Sequence, residues 1–258
     1  MPDTSAPQRS VAARPSTLVL GDRPYDLTHR ALVVGLLTAP SGPLDLDTVL
    51  AQAEADVVAG ADILELGGAA GPVGLLGEQE EIDRVVPAVE ALRARFPLPV
   101  CIATTRPAVA RVGFGAGADL ANLLGGATPS SLAVVAERST AVALVGHDRG
   151  RDEPIGATGP RLALLHAVRQ AEQAGLAPSR LLLDPGFDDD GTPWLVRHPD
   201  DLADLGCPLV LSWPDAGTGA LLGAVAVAIG RGCRVLRVHE VRAARRVADT
   251  MAAILEAP

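Results

Sequence analysis

Arg180-Leu-Leu-Leu-Asp-Pro-Gly-Phe187 is the stretch on which the reading of this sequence turns. An apolar run suited to a buried strand leads straight into an acidic residue, and Pro185-Gly186 stops the strand there. A parallel strand covered on both faces reads as a continuous apolar run, and its carboxyl end is where α/β proteins keep their ligands. Asp184 is therefore expected at the mouth of a site.

Working outward, the same unit of strand, loop and helix recurs. Strands are expected at 31–37, 62–66, 99–102, 119–124, 140–145, 181–184, 208–211 and 234–238, with helical pattern between them, as in 47–59, 78–96, 130–138 and 160–174. Eight such units in about 250 residues predict an α/β fold of the (β/α)8 TIM-barrel class, with its site on the loops that follow the strands. A doubly wound open sheet is the runner-up. Thr17-Leu-Val-Leu20 and Arg23-Pro-Tyr-Asp-Leu27 around Gly21-Asp22 read as a short N-terminal β-hairpin closing one end of the barrel. The domain is expected to run from 17 to 258, after a disordered tail at 1–16 with no apolar core of a signal peptide.

Composition narrows the function classes. Hydrophobic residues make up 48% of the 258 and aromatic residues only 2%, so the core must be built from Ala, Val and Leu. The net charge of −9 argues against nucleic acid and against a polybasic membrane patch. No apolar run reaches the length of a membrane span. Cys101, Cys207 and Cys233 form no C-x-x-C pair and read as free thiols in a reducing, cytoplasmic setting. All 22 basic residues are arginine, which removes lysine as a catalytic group anywhere in the chain.

In a barrel, the polar residues at strand ends converge: Thr38, Glu65, Thr104, Asn122, His147, Asp184, Ser212, Arg237 and His239. In this order the chain resembles the dihydropteroate synthase family, over about Leu18 to Leu255. The resemblance is carried by Gly35-Leu-Leu-Thr38, Gly60-Ala-Asp-Ile-Leu-Glu-Leu-Gly-Gly68, Glu80-Glu81 with Arg84-Val-Val-Pro87, Gly117-Ala-Asp-Leu-Ala-Asn122, Leu181 to Phe187, and Arg237-Val-His-Glu240. It implies a pterin deep in the mouth, its edge held by Asn122 and Asp184, and an anionic pyrophosphate on Arg237 and His239. A carboxylate and an amide suit the donor and acceptor pattern of an aminopyrimidinone edge, and arginine is well shaped for phosphate. A homodimer through outer barrel helices is implied in the same way.

The departures from the family pattern fall on one side of the site. Thr38 stands where the family supplies an asparagine for magnesium and pyrophosphate, and Ala103 where it has an aspartate at the end of the third strand. Ala69-Ala70-Gly71-Pro72 replaces a Thr-Arg loop that helps form the p-aminobenzoate site. Ser212-Trp213-Pro214-Asp215-Ala216 replaces a Ser-Arg-Lys motif, so that Ala216 is a degenerate position too. Removing one preorganised electrostatic group typically costs about 10²–10³ in rate. The expectation is a divergent member that binds a pterin-like or other small anionic ligand but has lost most groups for the standard condensation, with no metal site and magnesium only if pyrophosphate chemistry survives. Its alternatives are a working synthase with compensating loops and a barrel repurposed for another transfer.

Plainer readings stand beside these. Asp184 could cap a turn, Asn122 could satisfy loop backbone, Arg237 could sit in a barrel-end ion pair and Glu65 could be a core carboxylate paired inside the barrel. Asp188-Asp189-Asp190 reads more readily as a solvated turn than as a metal loop, and His147-Asp148 has no nucleophile at triad spacing. Gly113-Phe-Gly-Ala-Gly117 follows a helix and precedes a strand, the reverse of a dinucleotide loop.

Overall fold

The structure is a computed structural model and describes residues 15–37, 45–67, 76–146, 159–187, 192–198, 201–213 and 218–257. An antiparallel hairpin of β1 (Thr17–Leu20) and β2 (Arg23–Asp26) comes first. Eight parallel strands follow: β3 (Leu32–Leu37), β4 (Ile63–Gly67), β5 (Val100–Thr104), β6 (Leu120–Leu123), β7 (Val142–Gly146), β8 (Leu181–Asp184), β9 (Val210–Ser212) and β10 (Val235–Val238). They pair in the order β8-β7-β6-β5-β4-β3-β10-β9. The ring closes where Leu183 of β8 bridges Leu209, with the Leu183 N–H donating to the Pro208 carbonyl at 3.0 Å. This is the (β/α)8 barrel expected from the repeat.

The helices are α1 (Leu46–Ala59), α2 (Glu78–Arg95), α3 (Pro107–Ala116), α4 (Pro129–Ala136), α5 (Gly159–Gln173), the single turn α6 (Trp194–Arg197), α7 (Thr218–Gly230) and α8 (Val241–Glu256). Their ends follow local chemistry. Asp45 caps α1, Thr128 and Ser131 form a capping box on α4, and Gly117 ends α3 in the left-handed region at φ 113°. None of the described helices is long and apolar enough to cross a membrane.

Strand alternation sorts the core into two bodies. Val33, Leu64, Leu66, Ile102, Ala121, Leu123, Val145, Leu183, Leu236 and Val238 face the helices. Leu32, Val34, Ile63, Cys101, Leu120, Val142, Leu144, Leu182, Val210 and Val235 fill the barrel interior, joined by Leu18, Leu20 and Leu27 from the hairpin. The hairpin is thus a floor beneath the interior, and its ladder extends by one bond from the Leu27 N–H to the Ser16 carbonyl. Continuing the interior parity upward leaves Glu65, Ala103, Asn122, Asp184, Ser212 and Arg237 as the last inward side chains of their strands, since Gly67 at the end of β4 carries none.

Candidate active site at the barrel mouth

At the carboxyl ends of the strands five of these side chains meet. Glu65, only 2% exposed, lies across from Arg237, whose Nε stands 2.9 Å from both carboxylate oxygens and whose Nη2 stands 2.6 Å from Oε1. Asn122, buried on β6, donates from Nδ2 to Glu65 Oε1 at 3.3 Å. Asp184 accepts from the Ser212 hydroxyl through Oδ2 and from the Gly186 N–H through Oδ1 at 2.9 Å. The Arg237 Nη1 reaches toward Ser212 Oγ at 3.5 Å, joining the two halves. The result is a continuous polar chain, Asn122–Glu65–Arg237–Ser212–Asp184, in an otherwise apolar barrel.

Burial sets the electrostatics of this layer. Desolvation raises the Asp184 carboxyl above the usual range, opposed by its hydrogen bonds from Ser212 and Gly186 and by Arg237. Burial would weaken the Arg237 cation, but the charge and hydrogen bonds of Glu65 outweigh that, so the guanidinium is held more firmly protonated than in water. Cys101, beneath Glu65 with Sγ at 3.7 Å from Oε2, is pushed well up, first by burial and then by that carboxylate. It is no nucleophile in this state.

Not every residue expected at the mouth is there. Thr104 follows Ala103 on β5, so alternation turns it to the helix side; its hydroxyl donates to Glu81 of α2 at 2.6 Å. Glu81 also pairs with Arg106, whose Nη2 donates to the Leu76 carbonyl at 2.5 Å. This cluster ties the start of α2 to the end of β5 and lies outside the barrel. Ala103 itself is buried and stands beside Asn122 in register, so β5 offers the mouth a methyl group. His239 lies just past the end of β10, half-buried. Thr38, His147, Ala216, the Ala69 to Pro72 loop and the Asp188 to Asp190 run lie outside the described residues, as does most of the N-terminal tail.

Sequence reasoning placed Glu65 and Arg237 at one mouth but did not join them. It also passed over Phe187 and Trp213, whose rings meet edge to face at a centroid separation of 5.9 Å. In a chain with 2% aromatic residues, these two meet just past the carboxyl ends of β8 and β9.

The described residues do not fit a magnesium centre. Each mouth carboxylate already accepts hydrogen bonds from protein donors, Glu65 from Arg237 and Asn122, Asp184 from Ser212 and Gly186, and among the described residues no three His, Cys, Asp or Glu side chains cluster to hold an ion.

Fold and mouth together define a TIM barrel with a small-molecule site at the carboxyl ends of its strands. Comparison with known proteins narrows the class. Residues 41–198 match the family model described as pterin binding enzyme. The chain is 32% identical to the dihydropteroate synthase of a Synechocystis strain, covering 90% of this chain and 93% of that protein, and 34% identical to "Inactive dihydropteroate synthase 2" of Mycobacterium leprae, covering 79% and 81%. Among solved structures, Yersinia pestis dihydropteroate synthase with a pterine-sulfa conjugate superposes with a TM-score of 0.81 at 27% identity, over 93% of this chain and 100% of that one. The Burkholderia cenocepacia enzyme complexed with 7,8-dihydropteroate gives 0.80 at 28%, over 93% and 96%. This chain belongs to the dihydropteroate synthase family.

Proposed function

We propose that this chain binds a pterin-like ring at the barrel mouth and does not efficiently condense 6-hydroxymethyl-dihydropterin pyrophosphate with p-aminobenzoate. What supports the reading is two buried polar side chains suited to a pterin edge beside a position where a family carboxylate is missing. Asp184 and Asn122 are both buried at strand ends, while Ala103, in register beside Asn122, is a methyl where the family pattern has a carboxylate.

The chemistry suits a ring edge. Asp184 uses one lone pair on each oxygen for Gly186 and Ser212, which leaves acceptor capacity for a ring N–H and an exocyclic amino group. Asn122 commits one amide N–H to Glu65 and retains the other N–H and its carbonyl oxygen. The reaction side lacks more than Ala103: no lysine exists in the chain, and Thr38 and Ala216 replace groups of the family pattern. With each missing group worth about 10²–10³ in rate, several together leave little turnover.

The test is an assay of purified protein with the pterin pyrophosphate, p-aminobenzoate and magnesium, alongside calorimetric titration with the pterin. Binding is expected with turnover below about 1% of a working synthase, in keeping with the loss of even a single group. Ordinary turnover would overturn the reading. A working synthase with compensating loops is the second reading, favoured by the 32% identity to the Synechocystis synthase over nine-tenths of the chain; it would rescue a strain lacking that enzyme. The apolar groove of about 450 Å³ between α7 and α8, lined by Leu222, Ala226, Val247 and Met251, is proposed as the face of a homodimer in the cytoplasm, to be checked by light scattering.

A further inference from the structure

Arg237 is the one basic side chain on the eight barrel strands, and Glu65 and Asp184 are the two acidic ones. Their formal sum is −1. The single cation is also committed: Nε and Nη2 are both turned onto the Glu65 carboxylate, and Nη1 faces Ser212. Glu65 is in turn held from a second side by Asn122.

A pyrophosphate entering this layer has two courses. It can draw Arg237 away, which strands the Glu65 carboxylate, 2% exposed, without a counter-charge in a low-dielectric interior. Or it can lie beside an arginine already neutralised, in the field of Asp184 and Glu65, where like charge repels it. Neither course favours a polyanion. A neutral ring rich in N–H donors meets the opposite situation, since Asp184 and the Asn122 carbonyl oxygen are acceptors and nothing has to be displaced from Glu65.

We infer that Glu65 is a specificity-determining residue: by holding Arg237 it withdraws the barrel's cation from anion binding, and the mouth selects an uncharged, donor-rich pterin over its pyrophosphate ester. This rests on the pterin reading above and fixes the class of pterin. It also gives the loss of condensation a second cause besides the missing groups, because a site that rejects the pyrophosphate ester rejects the activated substrate.

The experiment titrates three probes, 6-hydroxymethyl-7,8-dihydropterin, its pyrophosphate ester and inorganic pyrophosphate, into the wild type and Glu65→Gln, each with and without magnesium. Glu65→Gln keeps a carbonyl oxygen for Arg237 but frees its charge. The wild type is expected to bind the alcohol at least as tightly as the ester. Glu65→Gln is expected to bind the ester and inorganic pyrophosphate ten-fold or more tighter, and to shift the ester-to-alcohol affinity ratio by ten-fold or more toward the ester. A wild type preferring the ester ten-fold, or a Glu65→Gln protein with unaltered pyrophosphate affinity, overturns the inference. If neither pterin binds but Glu65→Gln gains inorganic pyrophosphate, the pterin reading fails and the role of Glu65 stands. Should the variant not fold, the alcohol-to-ester ratio of the wild type decides alone.

Discussion

Glu65 and Arg237, 172 residues apart in sequence, meet inside the barrel, the Arg237 Nε–H shared between both carboxylate oxygens at 2.9 Å and Nη2 donating to Oε1 at 2.6 Å, with the carboxylate 2% exposed. Such a pair is weak evidence for net stability, because desolvating both charges offsets their attraction, yet breaking it from one side is costly. Arg237→Met is therefore expected to destabilise the fold by about 3 kcal/mol, since it leaves a buried carboxylate unpaired. The double variant Glu65→Leu/Arg237→Met should recover most of that loss. A double-mutant cycle in urea measures it, and additive single effects would show that the pair is not coupled.

Among the described residues, Asp184 accepts two hydrogen bonds, from Ser212 and Gly186. Asp184→Asn keeps the shape but replaces one acceptor oxygen with a donor NH2 aimed at the ring edge. Pterin affinity is expected to fall roughly 10–100-fold, in line with about 1.5–3 kcal/mol for a hydrogen bond to a charged group. The melting temperature should move by only a few degrees. Ala103→Ser, facing the same mouth without touching Asp184, serves as a control expected to leave pterin affinity within about three-fold, a loss below the ~1 kcal/mol of one net hydrogen bond.

The barrel was legible because its signals are local. Leu181 to Asp184 ends in a carboxylate and a Pro-Gly stop, and the same cadence recurs eight times with turn chemistry between. Period-two alternation likewise puts Arg237 and His239 on one face from the sequence alone. The Glu65–Arg237 contact was not legible, because it depends on closing the ring: β4 and β10 are separated in the sheet by β3, and no spacing in the chain encodes their distance. Thr104 misleads for a related reason. Being the last residue of β5 brings it to the rim, but whether it faces inward is decided by parity, and a strand-end reading that is one residue off inverts the face.

Asp56 of α1 supplies a pH dependence. One of its carboxylate oxygens, Oδ2, is buried without a hydrogen-bond partner among the described residues, and burial pushes the carboxyl up to about 6 from 3.8. A carboxyl raised in the folded state holds its proton between about pH 4 and pH 6 while the unfolded chain has released it, so stability is greatest below this window and falls as pH rises through it. Asp56→Asn, neutral at every pH, should flatten that part of the curve. At pH 7.5 it should exceed the wild type by about 1 kcal/mol, a figure kept small because solvent screens the exposed part of the group. Urea midpoints of the two proteins at pH 4, 5, 6 and 7.5 measure the difference; parallel curves would exclude Asp56 as its source.

Gly113 explains the glycine-rich run that imitates a nucleotide loop. It lies within α3, and a Cβ there would stand 2.4 Å from Cδ1 of Ile102, a fully buried side chain of β5. The glycine lets the helix approach the sheet. Gly113→Ala gains roughly 1 kcal/mol of helix propensity but overpacks the interface at a cost of about 1–3 kcal/mol. The net expectation is a loss near 1 kcal/mol. Gly223 in α7 is exposed, with nothing within 4 Å of an added Cβ, so Gly223→Ala should gain roughly 0.5–1 kcal/mol from propensity alone. Urea denaturation of the two variants side by side separates packing from propensity: if both gain stability, Ile102 can yield and the close approach of α3 is not what requires glycine.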